Sequence, residues 1–228
     1  TLRADVAVPM QLPEWQTPRP ALPAPPHPQA VQAALDLLWA AKRPLFISGR
    51  GARGAGLALC ALLDRLGAAY LDTGESKGLV PDDHPSVVAA MRGAVMGQAD
   101  LVVTLGRRLD FQLAFGSPAV FGDAQFLRIA DTAAELRDNR RGAVEIWADP
   151  ALTLQALLDA ALAQAPASDS TWLAGLRDQH QQRSAKLVQG MQRAPAGRDG
   201  RMHPNRVLAA LREALPADAI LVADRSEE

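Results

Sequence analysis

The sequence predicts an α/β protein: a Rossmann-like, doubly wound parallel sheet of five to six strands in a three-layer α/β/α arrangement. Three observations carry this. Short apolar runs alternate with helix-spaced apolar stripes over residues 29–162. The run Asp100-Leu-Val-Val-Thr-Leu-Gly106 is apolar on both faces, as a strand in the middle of a parallel sheet must be. Residues 44–56, Pro-Leu-Phe-Ile-Ser-Gly-Arg-Gly-Ala-Arg-Gly-Ala-Gly, read as strand, glycine turn and helix start, with Gly49, Gly51 and Gly54 in the spacing G-x-G-x-x-G.

Residues 1–28 read as a proline-rich interdomain linker. Pro9, Pro13, Pro18, Pro20, Pro23, Pro25, Pro26 and Pro28 block helix and central strand alike. Pro28 suits the first turn of a helix, and Val31, Leu35, Leu38 and Lys42 repeat at helical spacing, so a helix is expected over 29–42. Strands are expected at 45–48, 68–72, 100–105, 126–130 and 144–148. The stripe Leu59, Leu62, Leu63, Leu66 makes the helix after the glycine turn. Residues 73–85 carry turn signals, and 86–98 read either as a short helix or as a loop around Met91-Arg92-Gly93. Pro150 starts a helix with Leu154, Leu157, Leu158 and Leu162 on one face.

This gives a central nucleotide-binding-like domain over 29–165. Residues 166–200 follow as a linker and a polar surface helix at 171–193. Residues 201–228 read as the truncated start of another domain, with a helix after His203-Pro204 and a strand at 219–224. The whole is expected to be a fragment of a longer polypeptide.

Composition narrows the function. Nearly half the residues are hydrophobic, enough for a real core, and the formal net charge of −1 gives no reason to expect nucleic acid or an anionic membrane. No apolar run approaches a membrane span, and no basic-then-apolar start marks a signal peptide, so a cytoplasmic setting is the default. The single cysteine, Cys60, falls on the helix after the glycine turn and reads as a packing residue. One Cys and four scattered His offer no metal-ligand spacing, and no nucleophile motif is present. His27, His84, His180 and His203 all sit in loops, linkers or helix starts and read as structural.

Open α/β sheets bind ligands outside the carboxyl ends of their strands. Three expected strands end in an acid: Asp72, Asp131 and Asp149. The glycine turn offers N–H donors to a phosphate, Arg92 or Arg108 offers countercharge, and Asp131 offers an acceptor for ribose hydroxyls. Each has a plainer reading: solvated surface for the arginines, capping of the following turn for Asp131 and Asp149. Asp72, a little over twenty residues past Gly49, occupies the position of the ribose-binding acid of NAD enzymes.

Several stretches in order resemble a known family. Arg43-Pro-Leu-Phe-Ile-Ser-Gly-Arg-Gly-Ala52, Ser76-Lys-Gly-Leu-Val-Pro-Asp-Asp-His-Pro85, Arg92-Gly93, Ala99-Asp-Leu-Val-Val-Thr-Leu-Gly-Arg-Arg-Leu-Asp110 and Ala148-Asp149 resemble the central domain of thiamine diphosphate-dependent enzymes. The likeness is to the acetolactate synthase, oxalyl-CoA decarboxylase and benzaldehyde lyase branch, over about residues 29–162, and His203-Pro204 with its helix and Ile-Leu-Val-Ala-Asp224 resembles the entry to that family's diphosphate-binding domain, which implies that 201–228 is the truncated start of that domain. It implies a three-domain, homodimeric or homotetrameric parent: a decarboxylase or carboligase acting on 2-oxo acids or acyl-CoA. Thiamine diphosphate and Mg2+ would be held by flanking domains, leaving this piece catalytically incomplete, with no catalytic residue and no metal ligand of its own. It also implies that the central domain takes FAD or ADP in some members and nothing in others. The residues facing such a ligand would be Gly49, Arg50, Gly51, Thr73, Arg92, Gly106, Arg108, Asp131 and Asp149. Two other readings stay open at this point: an NAD(P)-binding domain of an oxidoreductase, and a ligand-free scaffold that mediates assembly.

Overall fold

The computed structural model describes residues 22–161, 170–195, 201–216 and 219. Of the linker expected over 1–28, residues 1–21 lie outside the described residues, as does, apart from Ala219, the strand expected at 219–224.

Helix α1 (Pro28–Ala40) starts on proline after His27, whose Nδ1 accepts from the Gln29 N–H. It leads into β1 (Pro44–Ser48), the glycine turn, α2 (Gly56–Leu66) and β2 (Ala69–Leu71). Gly67 ends α2 in the left-handed conformation, φ +58°, where glycine carries no Cβ penalty. After a long connection come α3 (Arg92–Gln98), β3 (Leu101–Leu105), α4 (Pro118–Phe121), β4 (Gln125–Ala130), α5 (Ala133–Leu136), β5 (Val144–Trp147) and α6 (Pro150–Ala161). Helices α7 (Ser170–Gln192) and α8 (Pro204–Ala214) complete the described elements. The open choice at 86–98 resolves as a 3-10 turn over Ala89–Met91 running into α3.

The five strands form one sheet in the order β2-β1-β3-β4-β5, and every pairing is parallel. Alternate side chains of the strands enter two separate cores. Phe46, Tyr70, Val103, Leu105, Leu127, Ile129 and Ile146 pack under α1, α2 and α6. Leu45, Ile47, Leu71, Val102 and Phe126 face the other way, toward Val95 and Met96 of α3, Phe121 of α4, and Leu173 and Leu176 of α7. Both faces are therefore covered, which explains why the strands read as continuous apolar runs. The long polar helix is not purely a surface element: Leu173 and Leu176 are buried, and Trp172 Nε1 donates to Gln98 Oε1 at 3.0 Å.

At the amino edge, Asp100 ties the start of β3 to the start of β1: its carboxylate accepts from the N–H groups of Lys42 and Arg43, both at 2.9 Å. From β1 the chain turns to β2 on one side and then crosses to β3 on the other. The strand order reverses between β1 and β3, so the crevice of this sheet opens at their carboxyl ends. Among the described residues no helix is long and apolar enough to cross a membrane.

Candidate functional site

The carboxyl ends of β1 and β3 meet through glycine. A Cβ built on Gly51 would stand 2.8 Å from Gly106 Cα, and one built on Gly49 would stand 2.5 Å from the Gly106 carbonyl oxygen. Gly106 itself has φ +51°. Only glycine fits backbone against backbone at this separation.

The same contact changes what the turn can do. Gly49 N–H donates to Leu105 O at 2.9 Å and Gly51 N–H to Gly106 O at 3.2 Å. Ala52 N–H and Arg53 N–H close the 3-10 turn on Gly49 O and Arg50 O. These groups are therefore engaged within the protein. Helix α2 begins only at Gly56, one 3-10 turn further on, so its positive end does not sit on the glycine turn as it does in a dinucleotide-binding βα unit.

Two clefts flank the turn. One, of about 490 Å³, is lined by Arg50, Gly51, Arg53, Asp131, Thr132 and Glu135. The other, of about 180 Å³, is lined by Gly49, Arg50, Thr73, Gly74, Glu75, Arg107 and Gln112. Cations thus come from the β1 turn and from the end of β3, while acids come from the end of β4 and from the loop after β2. Burial, with the Asp131 carboxylate beside it, raises the Glu135 carboxyl above the ordinary carboxylate range. Its Oε2 is buried and has no hydrogen-bond partner in the protein.

Beyond Gly106, Arg107 and Asp110 form a two-pronged ion pair, with Nη1–Oδ2 at 2.8 Å and Nη2–Oδ1 at 2.9 Å. Arg107 Nη2 also donates to Gln112 Oε1 at 2.8 Å. Burial alone would raise the Asp110 carboxyl, but the hydrogen bonds and charge of Arg107 outweigh it and hold it below its usual value. Arg92 donates to the Gln112 carbonyl at 2.9 Å, and burial, then the neighbouring Arg107 charge, pulls its pKa down. Arg108 is exposed and lowers the carboxyl pKa of both Asp110 and Glu135. Residues 111–116 make a tight turn with Ala114 at φ +46° and Phe115 at φ +53°, a left-handed pair built without glycine.

Behind this rim lies Arg128, in the middle of β4 and 1% exposed. Its Nε donates to Thr104 Oγ1 at 2.8 Å; its Nη1 donates to Asp138 Oδ1 at 2.9 Å and to Arg140 O at 2.6 Å; its Nη2 donates to Glu135 O. Asp138 Oδ2 in turn accepts from Leu109 N–H at 2.6 Å. One guanidinium thus fastens the β4–β5 connection to the segment after β3, and each buried charge is paired, as burial requires.

The loop after β2 is fixed in the same way. Thr73 Oγ1 donates to Ser48 O at 2.6 Å, and Ser76 Oγ donates to Ser48 O at 2.9 Å. Ser48 Oγ bonds to Ser76 Oγ at 2.8 Å and to the Tyr70 hydroxyl at 2.6 Å. All four residues are buried, and burial, opposed by the Ser48 hydrogen bond, pushes the Tyr70 phenol up to about 12.

The structure therefore brings together Gly49, Arg50, Gly51, Thr73, Gly106 and Asp131, with Arg92 and Arg108 on the adjoining rim. Asp149 stands apart: its Oδ1 accepts from Leu152 N–H at 2.9 Å and its carbonyl from Thr153 Oγ1 at 2.7 Å, which makes it the cap of α6. Asp72 lies 3.9 Å from Lys77 Nζ. All four histidines accept a backbone N–H at Nδ1: His27 from Gln29, His84 from Ser86, His180 from Ala90 and His203 from Asn205. Sequence reasoning missed Arg53, Glu75, Arg107, Gln112, Thr132 and Glu135. The spacing Arg107-x-x-Asp110 was a usable signal for one of them.

These features define a doubly wound α/β domain with a charged cleft at the switch point of its sheet. Residues 31–157 match the model of the thiamine pyrophosphate enzyme central domain, and the chain belongs to that family. The mouse 2-hydroxyacyl-CoA lyase 1 is 33% identical over 203 residues, covering 86% of this chain and 34% of the relative. Oxalyl-CoA decarboxylase of Escherichia coli (strain K12) is 34% identical, covering 63% and 25% respectively. An acetolactate synthase large subunit of Mycobacterium tuberculosis is 30% identical, covering 90% and 37%. The chain thus spans about a third or less of the mouse and Escherichia coli relatives and slightly more of the mycobacterial one. A solved structure of a thiamin diphosphate-dependent enzyme isolated from Mycobacterium smegmatis shares the fold, with a TM-score of 0.52 at 18% identity over 63% of this chain and 30% of that one.

Proposed function

We propose that this domain binds an adenine nucleotide, ADP or the ADP half of FAD, across the carboxyl edge of its sheet. The polypeptide it serves would be a thiamine diphosphate-dependent lyase or decarboxylase acting on acyl-CoA or 2-oxo acid substrates. The substrate class is supported by the names of the relatives, in which CoA thioesters recur. Thiamine diphosphate, when bound, supplies the carbanion chemistry. In this reading that cofactor and its Mg2+ would be held by other parts of the enzyme.

The observation that carries the nucleotide reading is the larger cleft. Arg50 and Arg53 on one wall face Asp131, Thr132 and Glu135 on the other. Guanidinium groups recognise phosphate by charge-assisted hydrogen bonds, and carboxylates at a strand end accept from ribose hydroxyls. Glu135 Oε2, buried and without a partner in the protein, would accept from such a hydroxyl once the side chain turns into the cleft it lines. With the N–H groups of Gly49, Gly51, Ala52 and Arg53 engaged in the protein, phosphate recognition in this reading falls chiefly to the arginines. The same engagement, and the displaced start of α2, weigh against an NAD(P) oxidoreductase domain. Calorimetric titration with ADP and FAD tests the proposal. Both should bind the wild type, and Asp131→Ala should weaken both. Unchanged binding in that variant would put the ribose elsewhere, and no binding of either ligand to the wild type would overturn the nucleotide reading.

A further inference from the structure

Arg50 and Arg53 are held by one acid. Arg50 Nε lies 3.4 Å and Arg53 Nη1 3.5 Å from the same oxygen, Glu75 Oε2. Arg50 lines both clefts, Arg53 the larger and Glu75 the smaller, so the carboxylate draws both cations toward the β2 side of the turn. The backbone of Glu75 is set firmly. It is the middle residue of the 3-10 turn Gly74–Ser76, whose flanks Thr73 and Ser76 are buried and both bonded to Ser48 O at the end of β1. The side chains of the ion pairs, by contrast, are more than half exposed, so the pairs add little to folding and a stronger anion can replace them.

We propose that Glu75 is a built-in competitor for the phosphates of the ligand. Its carboxylate engages Arg50 and Arg53 and must release them when the anionic part of a nucleoside diphosphate arrives. The proposal rests on the nucleotide reading above and adds a specificity rule to it. A neutral nucleoside gains nothing by displacing Glu75, whereas a diphosphate exchanges a shared carboxylate for several charge-assisted bonds. Because Thr73 and Ser76 keep the loop in place, Glu75 remains near the bound phosphates as a like charge and continues to set their affinity.

The test is calorimetric titration of wild type, Glu75→Gln and Asp123→Asn with ADP, inorganic diphosphate and adenosine. Asp123 is an exposed acid lining a depression at the opposite edge, so its replacement makes the same charge change far from the site. We expect Glu75→Gln to bind ADP and inorganic diphosphate roughly three- to ten-fold more tightly at low salt, as removal of one exposed like charge allows. Adenosine should show no gain, Asp123→Asn should match wild type, and the gain should disappear near about 1 M salt, where screening reaches ~3 Å. Equal affinity of wild type and Glu75→Gln for both anions, or an equal gain for adenosine, overturns the competitor while leaving the nucleotide reading intact. A gain seen with inorganic diphosphate when ADP binds neither protein supports the competitor and removes the nucleotide. If no anion binds either protein, both proposals fall.

Discussion

Gly51 and Gly106 touch backbone to backbone, so the end of β1 is seated directly on the end of β3. Replacing Gly106 by Ala should destabilise the domain by roughly 2 kcal/mol or more, since the new Cβ meets the Gly51 backbone and the residue must also hold a left-handed φ that costs ~1–2 kcal/mol outside glycine. Gly54→Ala separates the two effects. Gly54 also has a positive φ, +88°, but its Cβ would point into open space. Urea denaturation should therefore rank Gly106→Ala as clearly worse than Gly54→Ala. Equal losses would show that the contact is not tight.

Arg128 and Asp138 form a buried pair, with side chains 1% and 6% exposed. Arg128→Met should cost about 3–5 kcal/mol, because it leaves the Asp138 charge and the carbonyls of Glu135 and Arg140 without their donor. Adding Asp138→Asn to that variant should recover part of the loss. A double-mutant cycle by chemical denaturation measures the coupling, and strictly additive losses would contradict the pairing.

Tyr70 is the only tyrosine in the chain, so its ionisation can be followed directly by tyrosinate absorbance. Burial raises the folded-state pKa to about 12, against about 10 in an unfolded chain. The neutral phenol is thus favoured by folding. Its contribution to stability is fully present below pH ~10 and is lost as the pH rises through about 12. The native protein should titrate near 12 and the urea-unfolded protein near ~10. A native titration at the lower value would mean that the Ser48–Tyr70–Ser76 cluster is open to water.

Arg108 is the exposed cation of the rim, positioned to act on both Asp110 and Glu135. Arg108→Ala should weaken ADP binding roughly ten-fold or more, the scale of one lost charge-assisted hydrogen bond. It should leave the melting temperature nearly unchanged. Unaltered ADP affinity would place the phosphates on Arg50 and Arg53 alone.

The sheet was legible because its signal is burial. Leu45-Phe46-Ile47 and Leu101 to Leu105 are enclosed on both faces, and an unbroken apolar run is what such strands require. The site was legible at its floor and much less so at its rim. Gly49, Gly51 and Gly106 announce themselves through residue type. Arg107 and Arg108 are indistinguishable by pattern, because Gly106 at φ +51° ends the two-residue alternation that would have shown which side chain turns inward. Arg128 stands out as a charge in an apolar strand, but apart from Thr104 of β3 the partners described above come from the segment 135–140, which carries no usable periodicity. Glu75 sits in a three-residue turn, too short for any periodicity.

The four histidines share one bonding pattern, and it limits their chemistry. Each ring accepts a backbone N–H at Nδ1, so in its neutral form the hydrogen resides on Nε2. The lone pair through which an imidazole takes up a proton or grips a metal is turned toward main chain in every case. Only an N–H is left facing outward; His84 directs its Nε2 to within 3.4 Å of Asp64 Oδ1. In nitrogen-resolved NMR all four rings should show a single tautomeric signature. As a consequence, the imidazoles of this domain serve as hinge pins for turns and helix starts.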